Sequence, residues 1–206
     1  MMTTDGLLMD FAGQPVPRTP AARYALETCA EFAEPWLVHH SLRAYFFAAA
    51  HGVQAGIEYD LELLFVAAML HDLALTVPFD SHRLAFEEAG GYLARVFAAG
   101  AGWPADRRGR LAEVIVLHMQ APVAAGDAPE AHLLQVAVSA DVSGRGLDAF
   151  DPAFRSALLR RYPRAGFATQ FLHLVQDQAR RKPSSAAATL MHGGWAQRIT
   201  TNPLDH

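Results

Sequence analysis

Cysteine and lysine are almost missing from this chain of 206 residues: Cys29 is the one thiol and Lys182 the one lysine. A lone cysteine excludes an intramolecular disulfide framework and any metal site built from several thiolates. Metal ligands must therefore be histidine and carboxylate, and a reducing cytoplasm is the expected compartment. A lone lysine close to the C-terminal end removes lysine as a general acid near a metal, unless that one residue folds back. Basic charge is scarce as well: 17 Lys+Arg against 21 Asp+Glu give a net charge of -4, which leaves no footprint for nucleic acid or an acidic membrane surface. No apolar run reaches the roughly 18 residues of a membrane span, and the start, MMTTDGLLMDFAGQPVPRTP, lacks a basic leader followed by an apolar stretch. A soluble protein without nucleic-acid or membrane partners is expected. Alternating β-branched runs are nearly absent too, since VIV at 114–116 and VAV at 136–138 are short and flanked by helical spacing. The fold is predicted to be all-α.

What the chain has in quantity is apolar side chains, 51% of the sequence, enough at this length to bury the core of one domain. Residues 1–20 show no sustained period and read as an arm lying over the surface. Helical spacing then runs in blocks that stop at breakers: about Ala21 to Ala33, Val38 to Ala55, Asp60 to Leu75, Leu84 to Ala99, Ala105 to Met119, Pro129 to Val142, Pro152 to Arg161 and Pro163 to Lys182. These blocks make one helical domain over 21–182. The remainder, 183–206, is rich in small and turn residues and is expected to cover a surface or fray. GAGWP at 100–104 and APVAAGDAPE at 121–130 are the expected mobile loops.

Polar groups of one kind interrupt the apolar blocks. LELLFVAAMLHDLALT contains His71-Asp72, WLVHHSLRAYFFAAA contains His40, and HLLQVAVSADVSG contains Asp141. Burying such groups without partners costs roughly several kcal/mol, and a metal ion is a partner that satisfies all of them. Adjacent helical residues project about 100° apart, so His71 and Asp72 share an ion only if it sits in the groove beside their helix, with neighbouring helices supplying His40 and Asp141. Two imidazoles and two carboxylates neutralise one divalent ion and leave positions for water, as in catalytic rather than structural sites. Water on such an ion falls in pKa from near 15.7 toward roughly 7. The donor types suit Zn, Fe, Mn or Ni.

In this order, His40, His71-Asp72 and Asp141 resemble the H…HD…D signature of the HD-domain superfamily, metal-dependent hydrolases built as a helical bundle. A narrower similarity takes in EPWLVHHSLRAYFFA, AAMLHDLALT, FEEAGGYLARVF, VIVLHM, ADVSG and the late RRKP, which look like cyanamide hydratase-type HD proteins. The resemblance implies that His40, His71, Asp72 and Asp141 are the metal ligands and that Glu87 and His118 match polar positions near the metal. Metal and Asp72 would orient a water for addition to a nitrile-like carbon. Binuclear HD proteins, oxygenases among them, carry a further histidine four residues before the glycine that opens the next helix segment. Relative to Gly90 that position is Phe86, so one metal is expected. Ala89 stands where the hydratase-like pattern has an acid.

Simpler readings stand beside these. His118 is open between ligand, proton shuttle and a buried histidine bonded to a carbonyl, and one of the pair Glu87 and Glu88 is expected to be solvated. Arg43 shares a helix face with His40 and either binds an anionic substrate or pairs with a ligand carboxylate. His39, His51, His82, His132, His173 and His192 lack partners at metal spacing and read as structural or surface groups. The leading expectation is a hydrolase or hydratase acting on a small molecule. An HD-type phosphohydrolase and a non-catalytic metal-stabilised sensing domain are the alternatives, and a homo-oligomer stays open.

Overall fold

In the computed structural model, residues 9–205 are described. Among them ten α-helices run in chain order: α1 (Pro20–Phe32), α2 (Pro35–Ala55), α3 (Leu61–Leu70), α4 (Phe86–Gly100), α5 (Ala105–Leu117), α6 (Pro129–Ser143), α7 (Pro152–Arg161), α8 (Phe167–Arg181), α9 (Ala186–His192) and α10 (Trp195–Thr200). No strand occurs among the described residues, and no described helix is long and apolar enough to cross a membrane. The all-α expectation holds.

Helix starts follow local chemistry. Proline opens α1, α2, α6 and α7, where its missing N–H is no loss and its fixed φ already suits the first turn. Asp60 accepts from the Leu63 N–H at 2.9 Å and so caps α3. That helix is apolar all round, with Leu63 to Leu70 buried without exception, which is the pattern of a fully enclosed helix. Accordingly α1, α2, α4, α5 and α6 all pack on it, while α2 pairs with α6 and α4 with α5.

Three boundaries differ from the sequence expectation. The block from Asp60 to Leu75 is broken: α3 stops at Leu70, Asp72 sits at φ -105°, ψ 2°, and a 3-10 turn covers Leu73–Leu75. The bend falls at His71-Asp72 and turns both side chains inward. The last long helix begins at Phe167 rather than Pro163, because Ala165 and Gly166 both take positive φ, 50° and 79°. The tail neither frays nor stays irregular. It folds into α9, α10 and a 3-10 turn at Pro203–Asp205, with Trp195, Ile199 and Leu204 buried. Within the expected arm, Phe11 packs on Phe46 and Phe154 at ring-centroid distances of 5.3 and 5.8 Å, and Tyr45 donates to the Pro15 carbonyl.

Gly90 and Gly91 set the approach of α4. A Cβ on Gly90 would lie 3.2 Å from Ile115 Cγ2 and 3.3 Å from the His71 carbonyl oxygen, and one on Gly91 would lie 3.0 Å from Val116 Cγ2. Two glycines therefore let α4 rest directly on α5 and on the His71 turn. Gly90→Val should destabilise the fold by about 1–3 kcal/mol through overpacking. Gly100→Ala, whose Cβ meets nothing within 4 Å, should be neutral or stabilising. Thermal melts of the two variants check the contrast.

Candidate metal centre

The α2 helix, the turn after α3, and the C-terminal end of α5 bring His40, His71, Asp72 and His118 to one point in the core. His40 Nε2 lies 3.2 Å from His71 Nε2, and Asp72 Oδ2 lies 3.4 Å and 3.3 Å from these two nitrogens. Asp72 Oδ1 is 3.7 Å from His118 Nε2. Ligand atoms of His40, His71 and Asp72 all fall within 4.8 Å of one another, and all three residues are buried.

Each ring is pinned from behind. His71 Nδ1 donates to the Ala68 carbonyl at 2.8 Å, His118 Nδ1 to the Ile115 carbonyl, and His40 Nδ1 to Asp141 Oδ2 at 2.6 Å. A carbonyl or an ionised carboxylate only accepts, so Nδ1 carries the hydrogen in all three rings, and in the neutral imidazoles every Nε2 presents a lone pair. Three lone pairs thus face one carboxylate, and Asp72 Oδ2 is fully buried with no hydrogen-bond partner. Such an electron-rich point needs a cation, and the donor set of two close imidazoles and a carboxylate fits a divalent metal.

The same buried carboxylates draw positive charge to the point, a proton on the His40 ring where no metal is bound. Burial opposes ionisation of Asp72, yet the surrounding His71, His118 and His40 hold its carboxyl well below the usual range. Burial would lower His40, but Asp141 and Asp72 outweigh it and raise its pKa. Asp141 is likewise held down against its burial, chiefly by Arg43.

Asp141 is brought to the centre on the Nδ1 side of His40 rather than beside the Nε2 atoms. Arg43 grips it in a fork, Nε to Oδ1 at 2.7 Å and the NH2 nitrogen to Oδ2 at 2.9 Å. The other guanidinium nitrogen of Arg43 donates to the Tyr162 and Pro163 carbonyls at 3.0 and 3.2 Å. Of the two readings of Arg43, pairing with a carboxylate is the one seen. In this geometry Asp141 orients His40, the carboxylate–histidine arrangement common behind metals.

Glu87 and Glu88 separate as expected: Glu88 is exposed, while Glu87 is buried with Oε2 unpartnered. Burial pushes the Glu87 carboxyl up, with the charges of His118 and Lys182 working against it. Lys182 does fold back. It is buried, and its ammonium donates to Gln178 and, at 3.3 Å, to Asp80. Phe86 stands edge-on to His118 with ring centroids 5.8 Å apart. Residues that sequence reasoning missed are Arg164 and Asn202, both buried against Asp141. No spacing or composition signal marks them, since each acts through contacts that only the tertiary fold creates.

The HD domain family matches this chain over residues 37–141, a span that runs through His40, His71-Asp72 and Asp141. The chain belongs to the HD-domain family. This HD-domain protein is also similar to two cyanamide hydratases of Saccharomyces cerevisiae, DDI2 and DDI3. Each is 27% identical to it over 180 residues, covering 85% of this chain and 80% of the yeast protein.

A cavity of about 460 Å³ touches the HD centre at His118 alone and is lined further by Gln135, Val138 and Trp195. His40, His71 and Asp72 do not line it.

Because Arg43 is the counter-charge of a fully buried carboxylate, Arg43→Met should destabilise the fold by about 3–5 kcal/mol, the cost of leaving a buried charge unpaired. Urea unfolding of the two proteins measures it. Arg43→Met combined with Asp141→Leu should recover much of the loss.

Proposed function

We propose that this HD-domain protein is a mononuclear metal-dependent hydratase or hydrolase that adds water to a small, uncharged, nitrile-like substrate, with cyanamide the first candidate. One observation carries the reading: the ligand atoms are buried, and among the described residues the cations packed around them are already paired, while Arg145 and Arg198 line the adjoining cavity instead. Arg43 is engaged by Asp141 and two carbonyls, Arg164 by Asp141 and Asp205, and Lys182 by Asp80 and Gln178. A phosphoester at the ligand atoms would meet only cations that are already paired, which weighs against the phosphohydrolase alternative. The similarity to the yeast cyanamide hydratases supports the same choice.

His40, His71 and Asp72 would hold the ion, with Asp141 orienting His40. A divalent ion there supplies Lewis acidity and lowers the pKa of nearby water toward neutrality. Phe86, an apolar ring beside His118, supports a single ion.

The remaining work falls to the chain's own side chains. Hydration of a carbon–nitrogen triple bond places hydroxyl on carbon and delivers one proton to nitrogen. Asp72, ionised, orients the attacking water through Oδ1, the oxygen turned toward His118. His118 has its Nδ1 hydrogen committed to Ile115, so Nε2, the atom facing Asp72, is the one that exchanges a proton. Glu87, its carboxyl raised by burial and its Oε2 unpartnered, is the acid placed to pass a proton toward the developing nitrogen anion. Burial of the whole set keeps bulk water from competing with this transfer. Substrate approaches from the cavity at His118.

Elemental analysis should find one divalent metal per chain, lost in Asp72→Ala. His118→Ala and Glu87→Gln should keep the metal and lose about 10² to 10⁴ in turnover, read in a screen of cyanamide, nitriles, isonitriles and phosphoesters. Turnover confined to phosphoesters, or near-normal turnover in both variants, would contradict the hydratase reading. A metal-loaded protein with no turnover at all would favour the sensing domain.

A further inference from the structure

We propose that the C-terminal segment Asn202–Asp205, acting with Arg164, is a positioning element of the metal centre. The inference rests on the metal-binding reading above and adds to it residues remote in sequence. It starts from a gap at the end of α6. That helix closes on Gly144 at φ 70°, with the Gly144 N–H donating to the Ala140 carbonyl and the Arg145 N–H passing back to Ser139. The Asp141 carbonyl thereby loses the donor four residues ahead that a continuing helix would give it.

Two side chains from elsewhere fill the gap. Arg164, in the turn before α8, donates to the Asp141 carbonyl at 2.5 Å, and Asn202 donates to it at 2.8 Å. Asn202 is fully buried, and its own oxygen accepts the Leu204 N–H at 2.9 Å. The Arg164 fork is fixed in turn by Asp205, with Nε and NH2 contacts of 2.5 and 2.9 Å. A Cβ on Gly144 would stand 2.8 Å from Pro203 Cδ, so the tail lies directly on the helix end.

Asp141 is thus clamped twice, its carboxylate by Arg43 and its main chain by the tail, and it in turn sets His40. The ring face of His40 is braced by the same turn. It stacks on Phe167 at 4.7 Å, and the Arg164 guanidinium sits 4.7 Å from that same Phe167 ring. Asn202, Arg164 and Asp205 touch no ligand atom of His40, His71 or Asp72 in this arrangement; they act through Asp141 and Phe167. Loosening the tail lets both supports of His40 move together.

The test uses the full chain and the metal alone. Zinc affinity is measured by competition with a chromophoric chelator, and the visible spectrum is recorded with Co²⁺ in its place. Asp205→Ala and Asn202→Ala should each weaken zinc about 10- to 100-fold, the usual effect of losing an outer support of a ligand, and shift the Co²⁺ bands. Asp205→Glu, which keeps a carboxylate for the Arg164 fork, should move both readouts back toward wild type. Ile199→Ala removes a buried apolar anchor of α10 without touching Asp141 or Arg164, and it should leave affinity and spectrum unchanged. Equal zinc binding in wild type, Asp205→Ala and Asn202→Ala would overturn the positioning role while leaving the metal reading intact. An Ile199→Ala loss as large as theirs would reduce the tail to general stability and overturn it as well. A wild type that binds no divalent ion would overturn both readings.

Discussion

Three imidazole Nε2 atoms turned toward one buried carboxylate are the constraint on which the rest of this structure depends. Lone pairs and anionic oxygen repel in a medium that water does not reach, so the arrangement persists only because each ring is held from behind and because a cation can satisfy it in front. The backing bonds are therefore as much part of the centre as the atoms that face it. Ala68 and Ile115 provide main-chain carbonyls from the last turns of α3 and α5. Asp141 provides a carboxylate for His40 and needs Arg43 to be there at all.

Local structure is bent to serve this point. The helix α3 ends four residues after Val66 although nothing in its composition stops it, and the following 3-10 turn lets His71 and Asp72 face the same groove. Gly90 then allows α4 to come within contact of the His71 carbonyl. Glu87, one turn earlier on the same helix, is thereby buried near His118. Packing, not propensity, decides each of these placements.

Much of this was legible in the sequence, and the reasons differ by residue. His40, His71 and Asp72 announce themselves because charged or polar groups inside apolar helical runs require partners. The starts of α6 and α7 are marked by proline and all-α follows from period, while α2 begins at Pro35, three residues before the expected Val38. The stop at Leu70 was not legible, since no glycine or proline marks it. The place of Asp141 on the Nδ1 edge of His40 depends on side-chain geometry that spacing does not encode. Lys182 was visible as the only lysine, but its ion pair with Asp80 is a tertiary event. The tail was least legible: small residues give a weak period, and its contribution comes from polar contacts of Asn202 and Asp205 that spacing does not encode.

Family membership and geometry meet at one claim, that this buried set of nitrogens and oxygens is built for a divalent metal. Anomalous diffraction at the absorption edge of the bound metal locates it directly. The account predicts one peak, within about 2.0–2.2 Å of the Nε2 atoms of His40 and His71 and of an Asp72 oxygen. Two peaks, or a peak bound elsewhere with these three residues unliganded, would contradict it.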